Sequence, residues 1–191
     1  MTKEQKLKTI ADALAKDMSL PLKQGAKNDV PGAGNADADV VFIGEGPGKQ
    51  EDEKGTPFCG PAGKFLDELL ESIGLKREEV FITNIVKHRP PENRDPKPEE
   101  VQAYWPYLER QLEVIEPKVV VVLGRHSLAR LMPGLGTISM LHGRAFKKHN
   151  RTYMALYHPA VALYNGSMRK VLLEDFKKLE ILLKKLSIKK N

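Results

Sequence analysis

Three polar residues each follow directly on an apolar run, and their types suit chemistry at a planar, charge-accepting group. Glu45 comes after Val40 to Ile43 and Gly44, Asn84 closes the run beginning at Val80, and His158 follows Arg151 to Tyr157. A carboxylate can orient or deprotonate water, an imidazole can hold or protonate a developing oxyanion, and a carboxamide presents a donor beside an acceptor. Around Glu45 the chain reads GEGPGKQED, with Gly44, Gly46, Pro47 and Gly48 in quick succession and further carboxylates at Glu51 and Asp52. Glycines let a ligand approach the backbone around Gly46. Phe58 follows between Pro57 and Cys59, an aromatic in a turn rather than on a periodic face, and it is placed to stack on a flat ring.

Two nucleotide-binding readings of the glycine loop fail on spacing. A phosphate-cradling loop needs GxxxxGK[ST], whereas Lys49 is followed by Gln50. A dinucleotide fingerprint needs GxGxxG, whereas Gly44, Gly46 and Gly48 make GxGxG with Pro47 inside and carboxylates where phosphates would sit.

The elements that must position these residues alternate in type. Helical spacing is expected over Thr2 to Lys16, followed by an irregular lead-in from Asp17 to Ala38. Strands are expected at Val40 to Ile43, Val80 to Val86, Lys118 to Leu123 and Arg151 to Tyr157. Helices are expected at Pro61 to Ile73, Pro98 to Ile115, Ser127 to Leu131 and Ser167 to Leu186, with a glycine-rich loop and one weak strand over Gly134 to Arg144. The proline- and arginine-rich stretch after Asn84 must be a shaped loop, since prolines break both helix and central strand. The pattern predicts a three-layer α/β/α sandwich around a four-stranded parallel sheet. Its strand ends would bring Glu45, Asn84 and His158 to one edge.

The 191 residues fit one domain, 1–191, in which 1–38 is the N-terminal helix and lead-in and 187–191 a basic tail. With 41% hydrophobic residues a continuous core is available. A net charge of +6 favours a polyanionic partner. The single cysteine, Cys59, excludes an internal disulfide framework and any multi-thiolate metal site within one chain. No window approaches the ~18 apolar residues of a membrane span, and a soluble, cytoplasmic, monomeric protein is expected.

The linked motifs Gly44-Glu45-Gly46-Pro47-Gly48 with Glu51-Asp52, Gly55-Thr56-Pro57-Phe58, Asn84-Ile85-Val86-Lys87 leading into Arg89-Pro90-Pro91-Glu92-Asn93-Arg94, and His158-Pro159-Ala160 resemble those of the family 4 uracil-DNA glycosylases. The resemblance runs from about Leu20 to Phe176. It implies hydrolysis of the bond between uracil and deoxyribose in DNA, on a base flipped out of the stack. By it, Phe58 would stack on uracil, Asn84 would read its polar edge, and the backbone at Gly46 would approach its carbonyl. His158 would stabilise the departing base, while Glu45, with Glu51 as second candidate, would position water and offset charge on the sugar. No metal or organic cofactor is expected for this chemistry. The loop after His158 would be a minor-groove wedge, where Tyr164 takes the place of a family arginine beside Leu163. Lys87, Arg89, Arg94, Arg125, Ser127, Lys147, Lys148 and Arg169 are the phosphate-contact candidates.

One departure is plain. The resemblance implies an iron–sulfur cluster on four cysteines, and the matching positions here are Asp17, Leu20, His88 and Tyr104. A thiolate-held cluster is therefore expected to be absent, with Asp17, His88 and Tyr104 converging in a hydrogen-bonded cluster supported by Leu20. The alternative is a DNA-binding module that recognises flipped or deaminated bases without turnover, or traps the sugar covalently. The covalent branch carries a histidine in an inserted basic loop, and the segment from Lys87 to Pro98 has no insertion.

Overall fold

The computed structural model describes residues 1–148 and 150–188, and within these the chain builds a six-stranded mixed sheet with helices on both faces. In chain order the elements are α1 (Lys3–Lys16), β1 (Ala33–Gly34), β2 (Val40–Gly44), α2 (Lys49–Lys54), α3 (Pro61–Ser72), β3 (Phe81–Asn84), α4 (Pro98–Ile115) and β4 (Val119–Leu123). They continue as α5 (Arg125–Leu131), α6 (Ile138–Leu141), β5 (Arg144–Lys148), β6 (Arg151–Leu156), α7 (Val161–Tyr164) and α8 (Ser167–Lys185). The strand order is β1-β3-β2-β4-β6-β5. Neighbours from β3 through β2 and β4 to β6 run parallel, while β1 and β5 join antiparallel at the two edges. The expected sheet of four parallel strands is thus corrected to a larger, mixed one. The extra edges were hard to see because β1 is only two residues long and β5 has only Ala145 and Phe146 as apolar residues beside Arg144, Lys147 and Lys148.

Strand alternation divides the core into two. Val40, Phe42, Val119, Val121 and Leu123 face α3 and α8, whereas Val41, Ile43, Val120 and Val122 face α1, α4 and α5. Every residue of β4 is buried, which is why Val119 to Leu123 reads as an unbroken apolar run. Each such side chain contributes roughly 1.5–3 kcal/mol on burial.

Local chemistry sets the element ends. Thr2 and Gln5 form a reciprocal cap on α1, whose Ile10 and Leu14 are buried as the helix packs on α4. Pro98 opens α4 at a position where its missing N–H costs nothing. The short helix α2 was not expected inside the acidic loop. Glu51 and Asp52 in its first turn complement the helix dipole, and Gly55, in a left-handed conformation, ends it. β3 is shorter than its apolar run because Ile85 and Val86 leave the ladder, their amides donating to the carbonyls of Gly44 and Glu45. The lead-in is tied down along its length. Asp52 accepts from the amides of Lys27 and Asn28, and the Val30 amide donates to the Lys87 carbonyl. Ser187 and Ile188 follow α8, Ile188 being buried; the rest of the expected basic tail, 189–191, lies outside the described residues. Among the described residues no helix is long and apolar enough to cross a membrane.

Candidate active site

The carboxyl ends of β2, β3, β4 and β6 open into one cleft of about 660 Å³. Glu45, Gly46, Glu51, Phe58, Asn84 and His158 all line it, so the residues singled out by type and spacing do meet. The register explains the meeting: Gly44 pairs with Asn84 on neighbouring strands, and Leu123 pairs with Leu156 two residues before His158. This is the location at which open parallel sheets hold their ligands. Gly44 has no room for a side chain, since a Cβ there would sit 2.4 Å from Asn84 Oδ1 and 2.7 Å from the Phe58 ring. The glycine that ends the strand therefore allows the amide and the aromatic to converge.

Asn84 is buried, and its Oδ1 has no hydrogen-bond partner. An orphaned buried acceptor is uncommon, and at the wall of a cleft it is set to receive a donor from a ligand. Phe58 takes a left-handed backbone conformation (φ 50°) and stacks on His158, with ring centroids 5.3 Å apart. That strained conformation is held by α3, where Gly63 packs so closely that a Cβ would meet the Phe58 carbonyl.

His158 has a defined tautomer. Its Nδ1 accepts from the Ala160 amide at 3.2 Å, which leaves the proton on Nε2. Burial pushes its pKa down to about 4 against the opposing pull of Glu51, so at neutral pH the ring is an uncharged N–H donor. Glu45 is shifted the other way. Burial, then the Asp95 carboxylate, raises it to about 7 despite Arg125. Glu51 accepts from the Gly60 amide at 2.7 Å and is thereby anchored at the start of α3.

Asp95 and His126 were missed. Both line the cleft, and His126 Nε2 lies 3.0 Å from Asp95 and 3.7 Å from Glu45. Ligand atoms of Glu45, Asp95 and His126 fall within 4.8 Å of one another, close enough for a cation to bridge, though Arg125 already reaches Asp95 at 3.1 Å. A signal was available for His126: it stands two residues past Gly124, the glycine after β4, much as Glu45 stands one residue past the glycine that ends β2.

Two surface expectations, Lys87 and Ser127, need correction. Lys87 is fully buried beneath the cleft and reaches no solvent. Ser127 is fully buried as well, with its hydroxyl unpartnered. Arg94 is held by Glu100 in a two-pronged pair at 2.8 and 2.6 Å. Arg169 pairs with Glu68 and lies over the Phe65 ring at 4.2 Å. Arg89 bonds to Asn93, while Lys148 reaches the Leu131 carbonyl on the far edge strand that also carries Lys147. Arg125 is exposed at the rim. Leu163 and Tyr164 project from α7, Tyr164 with 90% of its surface free.

At the four positions that the resemblance matches to cysteines, His88 Nδ1 meets the Tyr104 hydroxyl at 2.7 Å and Leu20 is buried in the same core as Tyr104. Asp17 does not join them. It accepts from Tyr107 at 2.7 Å and from Ser19, and the carboxylate that reaches His88 Nε2 is Asp29, at 2.5 Å. Lys23 completes the arrangement by donating to Asp29.

A family model described as "Uracil DNA glycosylase superfamily" matches residues 31–183. The chain is 47% identical over 183 residues to the type-4 uracil-DNA glycosylase of Saccharolobus solfataricus, an alignment covering 91% of this chain and 85% of that one. It is 49% identical to the Archaeoglobus fulgidus type-4 uracil-DNA glycosylase, covering 80% of each chain, and 39% identical to that of Thermotoga maritima, covering 96% and 98%. These relatives overturn the expectation of a protein without a cofactor, because type-4 enzymes are a class that binds an iron–sulfur cluster. The residues at the four positions are nonetheless a poor match for a thiolate-held cluster: Leu20 offers no ligand atom, and the polar atoms of Asp17, His88 and Tyr104 are engaged in hydrogen bonds. The strand-end cleft, the motifs that build it and the extent of these matches place the chain in the uracil-DNA glycosylase superfamily.

Proposed function

We propose that this chain is a uracil-DNA glycosylase that hydrolyses the N-glycosidic bond of a uracil flipped out of DNA and leaves an abasic site. The observation that carries the reading is the unpartnered, buried Oδ1 of Asn84 in a cleft shared with Phe58 and His158. Uracil carries an imide N–H beside a carbonyl, so one carboxamide can serve both. Phe58 supplies a flat apolar face for the ring. The neutral Nε2–H of His158 donates to a base oxygen and strengthens as the base departs with negative charge. Glu45, ionised in part near neutrality, orients water toward the sugar and offsets its positive charge, with Glu51 in a supporting position.

The whole chain serves as one domain and acts as a cytoplasmic monomer. Arg125 at the rim of the cleft and Arg89 in the loop after β3 meet phosphates, and Leu163 with Tyr164 enters the stack to hold the vacancy left by the flipped base. The names of the relatives count against a binding module without turnover. The deciding experiment incubates the protein with a uracil-containing oligonucleotide and then applies alkali. Cleavage at the uracil position supports the proposal; an intact strand under single-turnover conditions would end it.

A further inference from the structure

Lys87 sits behind the base pocket, and its surroundings define its charge. The Nζ lies 2.6 Å from Thr83 Oγ1, 2.7 Å from the Asn84 carbonyl and 2.7 Å from Gln111 Oε1. The Pro31 carbonyl fixes how two of these partners are turned. It accepts the Thr83 hydroxyl at 2.8 Å and the Gln111 Nε2 at 2.7 Å, so both present lone pairs to Lys87. The Asn84 carbonyl has only lone pairs to present. Three acceptors around one nitrogen require three N–H groups, which an ammonium carries and a neutral amine does not. Burial alone pulls the Lys87 pKa well below its usual value. The hydrogen-bond pattern outweighs that pull, because a neutral amine would set its own lone pair against an oxygen. Among the described residues Lys87 forms no ion pair with a carboxylate, so its charge is met by dipoles alone.

We infer that Lys87 is a positioning residue for base release, whose buried ammonium fixes Asn84 at the end of β3 and sets a standing positive potential behind the departing base. This rests on the uracil reading above. The geometry gives it force in two ways. The carbonyl of the residue that faces the base is clamped to a cation that also grips Thr83, one residue earlier on the strand, and Gln111 on α4. A fixed charge in a dry interior also acts over a longer range than one in solvent, without reorganising as negative charge develops. Phosphate contact, the role first expected of Lys87, needs an exposed head group; this role needs a buried one.

Two neutral variants test it. Lys87→Met fills the space, and Lys87→Gln keeps two N–H donors while removing the charge, so one remains interpretable if the other fails to fold by circular dichroism. Single-turnover release is measured from oligonucleotides carrying uracil or 5-fluorouracil, whose fluorine stabilises the base anion and lessens its need for help. The expected loss is about 30-fold for uracil and about 5-fold for 5-fluorouracil, below the range for removing a donor in direct contact. Equal losses on the two bases in a folded variant, or none, would overturn the inference. Wild-type protein that released neither base would instead refute the glycosylase reading, and the two failures are thereby told apart.

Discussion

Glu45→Gln should make the protein more stable and inactive, in a way that depends on pH. The folded state raises the Glu45 pKa from 4.5 to about 7, chiefly by burial, with only a quarter of the side chain exposed. A carboxyl with a raised folded pKa contributes stability that is fully present below the unfolded value near 4.5 and is lost as pH rises through about 7. At about 1.4 kcal/mol per pKa unit the full cost of ionising it above pH 7 is about 3 kcal/mol, and partial solvent screening brings the working figure to about 2 kcal/mol. Glutamine has nearly the same shape and no charge. At pH 8 it should therefore raise Tm by about 4–8 °C, given ~2–4 °C per kcal/mol for a chain of this size. At pH 4.5 the advantage should vanish. Thermal melts of wild type and variant at both values, compared as differences, cancel effects common to the two proteins. A variant no more stable than wild type at pH 8 would refute the claim that Glu45 is held in an environment hostile to its charge.

Four further outcomes follow from the same geometry. Single-turnover release of uracil should fall on the acid side with a midpoint near pH 7, and Asp95→Asn should move that midpoint to lower pH by removing the carboxylate beside Glu45; an unmoved midpoint would take Asp95 out of the account. Asn84→Ala and His158→Ala should each lower the single-turnover rate about 10²–10³-fold, with no inflection between pH 5 and 8 traceable to His158, since its pKa lies near 4. His88→Ala should cost roughly 1–3 kcal/mol by removing the Tyr104 hydroxyl's partner and leaving Asp29 with Lys23 alone, measured by denaturant unfolding, with little change in turnover per folded molecule. Binding to uracil-containing duplex should weaken steeply with salt, and Arg125→Ala should reduce the slope of log affinity against log salt by about 1; a slope near zero in wild type would remove phosphate contact from the picture.

The strands and the residues at their ends were legible because their signals are local. Apolar runs announce the parallel strands: Glu45 follows Gly44 at the end of one, His158 follows Tyr157 at the end of another, and Asn84 lies within the run from Val80 to Val86. Parallel topology then requires those ends to share an edge, which brings Glu45, Asn84 and His158 into one cleft. Phe58 was readable for a related reason: an aromatic in a proline–glycine turn has no periodic face to pack on.

What the tertiary structure alone decided was the fate of the charges. Lys87 and Arg94 look alike in sequence as cations in a basic loop, yet one is sealed beneath the sheet end by Thr83, Gln111 and Pro31 and the other is clamped by Glu100. Asp29 rather than Asp17 reaches His88 because the lead-in folds back across the loop after β3, its Val30 amide donating to the Lys87 carbonyl. A long polar side chain finds its partner by proximity in space, and segments 50 or more residues apart leave no periodic trace of that meeting in the sequence. The sequence by itself determined the four parallel strands and which groups gather near their carboxyl ends. The fold determined which charges are spent on structure and which remain for DNA, because burial and pairing depend on packing among segments distant along the chain.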